Sequence, residues 1–214
     1  MMHNPLSRRT LLGMGVAGGV GLSARASARA APSEGALSPE LVVRAKAALR
    51  THGNQLPFTD RIGIVDFASP SRVARFHIVD VVDGRVSSRL VAHGRGSDPA
   101  HTGWVTLLSN EPGSFASSAG AYVTRGLYVG AHGRSMRLSG LDSMNSNAEA
   151  RALVIHAAWY VSPEAVRSTG KIGRSEGCFA VAADSLEGVL DQLGPGRLLY
   201  AGDMEKRPRG SAAV

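Results

Sequence analysis

Short apolar runs separated by turn residues fill most of the chain after residue 61, and they limit the folds open to it. The runs are rich in valine, isoleucine and other residues that pack well on a pleated surface. Asp83-Gly84, between two such runs, is a typical tight hairpin turn. Strands this short, interrupted this often, predict a mainly β domain, either a β-sandwich or a barrel-like fold with a few short peripheral helices.

The strand predictions follow the apolar runs. We expect strands at residues 62–67, 72–82, 86–93, 105–108, 122–129, 151–156, 179–182 and 197–201, with 131–138 carrying the chain round a bend. Two helices flank them. Ser38-Pro39-Glu40 begins the first, because serine caps a helix and proline fits its first turn, and Gly53 ends it. The second runs over 184–193, with Asp184 as its predicted cap.

The N-terminus has the layout of a twin-arginine export signal, which we place at residues 1–30. Arg8-Arg9 precedes an apolar run at 11–22, and Ala-x-Ala cleavage sites follow at 26–28 and 28–30. We therefore expect export to the periplasm or cell envelope. After the signal we expect a tether with the first helix at 31–57, one domain at 58–202, and a flexible tail at 203–214.

Charge and hydropathy narrow the choice of partners. Removing residues 1–30 takes away four arginines and no acidic residue, so the formal charge of +7 falls to +3. A charge this small, without clustered aromatic and basic residues, argues against nucleic acid as a partner. No segment after the signal is long and apolar enough to span a membrane. The sequence makes no prediction about oligomeric state.

Cys178 is the only cysteine of the chain, and it follows the small-residue turn Ser175-Glu176-Gly177. A free cysteine is most often a small buried hydrophobe, and that reading stays open. Two features favour a reactive thiol: the turn exposes it, and an exported protein with one cysteine has no partner for a disulfide. His156 ends the apolar run at 151–156, so we expect it to be the base that activates Cys178.

His156, followed after a gap by Ser175-x-Gly177-Cys178, resembles the catalytic motif of the L,D-transpeptidase (YkuD) family. The resemblance extends to segments 66–71, 91–97, 109–114, 132–135 and 154–161. Together these segments are similar to the murein L,D-transpeptidase catalytic-domain branch of that family. The similarity covers roughly residues 41–202.

The resemblance implies a YkuD-like fold and a cysteine acyltransferase that acts on peptidoglycan stem peptides, both as donor and as acceptor. Cys178 would attack the bond between diaminopimelate and D-alanine, and the thioester would pass to an amine to give a 3→3 crosslink. His156 would shuttle the proton, the Ala157 carbonyl would orient its ring, and the Gly177 amide would help to form an oxyanion hole. His132 would line the cleft and contact substrate, and Ser175 is placed with it. The guanidinium groups of Arg134 and Arg174 could grip a stem-peptide carboxylate. A turn role for His132 and a solvated surface role for each arginine stay open.

The sequence leaves two alternatives to this activity open. Water could replace the acceptor amine, which would make the protein an L,D-carboxypeptidase or amidase, or the fold could be a catalytically silent wall-binding module. Glu176 and Phe179 depart from the family pattern, and a carboxylate at 176 would oppose thiolate formation unless it points away. We expect no cofactor and no metal, because the single cysteine and the scattered histidines lack metal-ligand spacing.

Overall fold

The computed structural model describes residues 35–202. The predicted export signal at 1–30, the start of the tether and the predicted tail at 203–214 lie outside this range. Within it, no helix is long and apolar enough to cross a membrane.

Eight strands form one mixed sheet in the order β3-β2-β1-β8-β4-β5-β6-β7. The strands are β1 (Arg61–Asp66), β2 (Phe76–Asp80), β3 (Val86–Arg89), β4 (Gly120–Gly130), β5 (Gly133–Gly140), β6 (Val154–Ala157), β7 (Phe179–Val181) and β8 (Leu198–Gly202). The pairs β1–β8 and β6–β7 are parallel, and the other five pairs are antiparallel.

The sheet curves until its two edges meet. The segment after β3 reaches β7, where Val91 forms an antiparallel bridge with Val181 and the Ala92 N–H donates to the Ala180 carbonyl at 2.8 Å. Inside the curve, the ring of Phe67, just after β1, stacks on Phe179 with a centroid distance of 6.1 Å. The predicted β-rich, barrel-like fold is therefore confirmed.

Three short helices surround the sheet: α1 (Pro39–His52), α2 (Pro163–Thr169) and α3 (Ala183–Leu193). Helix α1 packs Leu41 and Ala45 on the face of β1 that carries Ile62 and Ile64. Helix α3 packs four buried side chains, Leu186, Val189, Leu190 and Leu193, into the large core on the other face. Burying an aliphatic side chain of this size stabilises a fold by about 1.5–3 kcal/mol, so the two helices hold the curved sheet from both faces.

The structure corrects several details of the secondary-structure prediction. The strands predicted at 72–82 and 86–93 are shorter, at Phe76–Asp80 and Val86–Arg89. Helix α2 was not predicted. Residues 105–108 do not form a strand, because the N–H groups of Thr106 and Leu107 both donate to the Ser97 carbonyl instead of to a ladder. Asp184 lies in the first turn of α3 and the cap position is Ala182, without a side-chain bond. Residues 131–138 belong largely to β5 rather than to a bend.

Strand β6 lies between the elements that build the candidate site. On one side it pairs with β5, where Ser135 lies opposite His156. On the other side it runs parallel to β7, where Ala180 lies opposite His156. The hairpin between β4 and β5, with His132 at its tip, and the turn that leads into β7, with Cys178, therefore flank the same strand.

Candidate active site

The turn that carries Cys178 is held by its own hydrogen bonds. Ser175 is buried, and its hydroxyl donates to the Cys178 carbonyl at 2.7 Å and accepts the Gly177 N–H at 3.2 Å. Gly177 has a φ of +117°, and a Cβ there would lie 2.8 Å from the Ala116 oxygen, so only glycine fits. The Ser175 N–H also donates to the His93 carbonyl at 2.9 Å. The turn of residues 175–178, called the nucleophile turn after the role predicted for Cys178, is thus fixed before any substrate binds.

The thiol of Cys178 is partly exposed and lines a cavity of about 510 Å³. It donates a hydrogen bond to the Ala152 carbonyl at 3.6 Å. Burial raises the pKa of Cys178, while the Val154 N–H and the charge of Arg151 lower it, and Glu176 raises it. The resting group is therefore a neutral thiol near pH 7.

His156 lines the same cavity and is only 3% exposed. Its Nδ1 lies 2.8 Å from the Ala157 carbonyl oxygen. A carbonyl can only accept, so Nδ1 carries the hydrogen and Nε2 keeps a free lone pair. Burial lowers the pKa of His156, the Ala157 hydrogen bond raises it and His132 lowers it. Neutral His156 is the form that can accept a proton.

The strand register brings Cys178 and His156 close together. His156 pairs with Ala180, two residues beyond Cys178. With strands ~4.8 Å apart and ~3.3 Å per residue, the two Cα atoms are separated by about 8 Å, within reach of both side chains. The S–H points at Ala152 in this structure, so it must turn towards His156 before a proton can pass.

The structure brings most of the other predicted residues to this cavity. His132 lines it and stacks on His156, with ring centroids 4.2 Å apart and planes 20° apart. Arg174 also lines it, and its guanidinium donates to the carbonyls of Asp98 and Pro99. Arg134 does not reach it, because it forms an ion pair with Glu187 of α3. The Gly177 N–H, predicted for the oxyanion hole, is occupied by Ser175.

The two departures from the family pattern have structural explanations. Glu176 is exposed and forms an ion pair with Arg95 at 3.0 Å, and the Arg95 guanidinium lies 3.8 Å from the ring centre of Phe115. Glu176 nevertheless remains one of the groups that raise the pKa of Cys178. Phe179 is fully buried, stacks on Phe67 and meets Tyr122 edge to face. Its side chain therefore fills the core and does not line the cavity.

A buried polar network lies beneath the nucleophile turn. Arg75 is completely buried and donates to the carbonyls of Ser69 and Val91 and to His93 Nδ1, the last at 2.7 Å. His93 Nε2 in turn donates to Asp98 at 3.3 Å. Asp98 also accepts the backbone N–H groups of Thr102 and Gly103. The backbone carbonyl of His93 accepts the Ser175 N–H, so this network supports the turn from below.

Comparison with known proteins identifies the family. The family model described as "L,D-transpeptidase catalytic domain" (YkuD_2) matches residues 33–201, most of the chain. The chain belongs to the L,D-transpeptidase catalytic-domain family. A search of curated proteins found no match.

Several solved structures resemble this L,D-transpeptidase domain at low identity. An L,D-transpeptidase from Mycobacterium smegmatis is 14% identical with a TM-score of 0.41, over 67% of this chain and 59% of that one. One from Mycobacterium tuberculosis H37Rv is 14% identical with a TM-score of 0.38, over 67% and 58%. The helical cell shape determining protein Pgp2 (K307A mutant) from Campylobacter jejuni is 12% identical with a TM-score of 0.45, over 79% and 58%. This chain spans less than two thirds of each.

Several residues that line the L,D-transpeptidase cavity were not predicted as site residues, and two of them carry ionisable side chains that bear on the chemistry. Arg151 and Tyr160 both line it, and burial raises the pKa of Tyr160 to about 12. Arg151 opens the apolar run that ends at His156, so its position beside the predicted base was the available signal. Within residues 35–202 there is no cluster of three or more His, Cys, Asp or Glu side chains that could hold a metal ion.

Proposed function

We propose that this L,D-transpeptidase domain is a cysteine acyltransferase that crosslinks peptidoglycan stem peptides. The observation that carries the proposal is the arrangement of His156. Its Nδ1 is tied to Ala157, which leaves Nε2 as an acceptor in the cavity that also contains the Cys178 thiol. A base and a nucleophile that share a substrate-sized cavity support covalent catalysis.

The first half-reaction forms a thioester. The Cys178 sulfur attacks the carbonyl carbon between the L-centre of diaminopimelate and the terminal D-alanine, and its proton passes to His156 Nε2. When the C–N bond breaks, His156 returns that proton to the amine of the departing D-alanine. His156 is then neutral again and ready for the second half-reaction.

The second half-reaction forms the crosslink. The side-chain amine of another stem attacks the thioester carbonyl and loses a proton to His156. The C–S bond then breaks, the sulfur takes the proton back, and a 3→3 peptide bond remains. No cofactor or metal takes part in either half-reaction.

The ionisation of the pair determines when the proton moves. The pKa of Cys178 is raised and that of His156 is lowered, both chiefly by burial. Near pH 7 the two groups are therefore neutral, and the proton passes during attack rather than before it. An oxyanion forming at the turn would compete with the Ser175 hydroxyl for the Gly177 N–H, and such a donor contributes roughly 3–4 kcal/mol in other enzymes.

Other cavity residues supply substrate contacts in this proposal. His132 covers one face of His156, and Arg174 offers a guanidinium for a stem-peptide carboxylate. The export signal proposed for residues 1–30 would bring the protein to the periplasm or cell envelope, where peptidoglycan is found. Hydrolysis is the second candidate, because Cys178 is only partly buried and water can reach a thioester there.

Incubation with purified muropeptides, followed by mass analysis, tests the proposal. The wild-type protein should release D-alanine and form dimers, and the Cys178→Ala variant should do neither. Release of D-alanine without dimers would replace transpeptidation by carboxypeptidase activity. If wild type and Cys178→Ala both leave the muropeptides intact but bind sacculi equally, the protein is a binding module and the enzymatic proposal fails.

A further inference from the structure

Arg151 has no part in the mechanism above, yet it lies against the nucleophile turn. We propose that Arg151 is a positioning residue that holds the 109–116 loop against this turn and keeps a fixed positive charge there in support of the Cys178 thiolate. The inference rests on the proposed role of Cys178 as nucleophile. It adds a residue that neither the motif nor the proposed reaction includes.

The guanidinium of Arg151 joins two segments that border the cavity. One nitrogen donates to the Ser109 carbonyl at 2.7 Å, and another donates to the Ala116 carbonyl. The same side chain touches the nucleophile turn, since a Cβ built on Gly177 would lie 3.1 Å from an Arg151 nitrogen and 2.8 Å from the Ala116 oxygen. The loop, the guanidinium and the turn are therefore packed against one another.

The backbone beside Arg151 also meets the thiol. Ala152 has a φ of +51°, a strained value for a residue with a Cβ, and its carbonyl accepts the Cys178 S–H. The Arg151 N–H donates to Asn147 and the Ala152 N–H to Glu149, both at 2.9 Å, so the strained turn is held in place. One short segment thus supplies both the acceptor for the resting thiol and the nearby cation.

The charge of Arg151 is not neutralised by a direct partner in the described part of the chain. Its hydrogen bonds go to carbonyl oxygens, and a carbonyl carries no net charge to cancel the guanidinium. Glu111, on the 109–116 loop, acts on Arg151 electrostatically without a direct ion pair in the described residues. Other charged or titratable groups face the thiol or line its cavity: Glu176 on its own turn, His156 on β6, His132 on the β4–β5 hairpin, Tyr160 and Arg174. Of these, Glu176 opposes the thiolate and is already paired with Arg95.

Alkylation of the single thiol by iodoacetamide, followed by intact mass over a range of pH, measures thiolate support without any stem peptide. Only the thiolate reacts appreciably, so the rate at a fixed pH below the thiol pKa follows the ionised fraction. We expect Arg151→Met to slow alkylation at pH 8 roughly fivefold, because the cation is lost from a half-buried site. Arg151→Lys keeps the charge and should stay within about twofold of wild type.

Arg137→Met is the matched control, since it removes a guanidinium that lies over the Tyr128 ring and does not line the cavity. It should alkylate within about twofold of the wild-type rate. If Arg151→Met does not fold by circular dichroism, Arg151→Gln takes its place, because an amide still donates to a carbonyl but carries no charge. Wild-type rates in the neutral variant, or equal slowing in Arg151→Lys, would overturn the proposal even if crosslinking is observed. Conversely, the alkylation result stands if muropeptides prove not to be substrates.

Discussion

His93 and His156 are two buried histidines on either side of the nucleophile turn, and their ring nitrogens are used differently. His93 is fully buried, and both nitrogens are occupied, Nδ1 by Arg75 and Nε2 by Asp98. His156 is almost as buried, but among residues 35–202 its ring has a hydrogen-bond partner on Nδ1 alone, the Ala157 carbonyl. A ring with two fixed partners cannot take up a proton without losing a bond, whereas a ring with one can.

The comparison shows that burial alone does not distinguish the histidine proposed as the base from the one held in a structural network. Burial lowers the pKa of both rings, and the neighbouring Arg75 lowers that of His93 further, to about 3. His93 therefore stays neutral and holds the floor of the turn through its carbonyl bond to Ser175. His156 also stays neutral. It lines the cavity, and no described residue forms a hydrogen bond with its Nε2. The deciding feature is the free nitrogen, which is visible only in three dimensions.

The largest effect that separates the two histidines should be on catalysis. His156→Gln removes the ring that is proposed to accept the thiol proton, so kcat/KM for muropeptide crosslinking should fall by roughly 10²–10⁴. Single-turnover release of D-alanine, followed by mass, measures the loss. Circular dichroism should show the wild-type fold.

His93→Gln is the matched control, because it makes the same substitution on the other side of the turn. It should keep crosslinking within about tenfold of wild type, since His93 moves no proton in the reaction. The different roles proposed for the two histidines would be contradicted if His156→Gln kept more than a tenth of wild-type activity. They would also be contradicted if His93→Gln lost as much activity as His156→Gln.

The second effect should be on acid stability, and here His93 is the sensitive residue. Its pKa falls from 6.5 to about 3 on folding, so the unfolded chain takes up the proton first. The stability that neutral His93 contributes is complete above pH 6.5 and is lost as the pH falls from there towards 3. Between pH 7 and pH 4.5, wild type should lose about 2 kcal/mol more than His93→Gln, measured by urea unfolding.

Acid-sensitive groups remote from His93 are shared by both proteins and cancel in this difference, whereas Asp98, which His93 bonds directly, contributes to it. Hydrogen bonds and nearby arginines lower the pKa of Asp60 and Asp80, so both carboxylates destabilise the fold at low pH in either variant. Parallel unfolding curves for wild type and His93→Gln across this range would show that His93 is not held neutral by its neighbours.

The sequence predicted the fold where local chemistry is decisive. The Asp83-Gly84 hairpin forms with Gly84 at a φ of +74°, and α1 begins at Pro39 with Ser38 as its cap. Helix α2 was missed although Ser162-Pro163-Glu164 repeats the same start signal, and Ser162 caps it in the same way. The missed helix is short, so no apolar periodicity drew attention to it.

Tertiary contacts decide what the sequence could not predict. Residues 105–108 have strand-forming side chains but find no neighbouring strand, because Ser97 takes their N–H groups. Arg75 is buried because Ser69, Val91 and His93 all accept from it, and arginine is otherwise among the least buried residues. The sequence motif was enough to predict that Cys178 and His156 act together, and both line one cavity. The contact of Arg151 with Gly177 depends instead on the position of the 109–116 loop.

The smallest expected effect sharpens the account of His156 itself. His132 stacks on its ring, shields it from water and lowers its pKa through charge, so His132→Asn removes two influences that act in the same direction. The pKa of His156 should rise, and the acidic limb of the kcat/KM profile should move to higher pH, because a larger fraction of the base is protonated there. Relative to each protein's own plateau, kcat/KM at pH 5.5 should fall roughly twofold in the variant.

Plateau activity measures any lost substrate contact separately, and an NMR titration of the His156 ring reports its pKa without substrate. An acidic limb that stays in place, or moves to lower pH, would mean that the stacked ring of His132 does not keep its neighbour neutral.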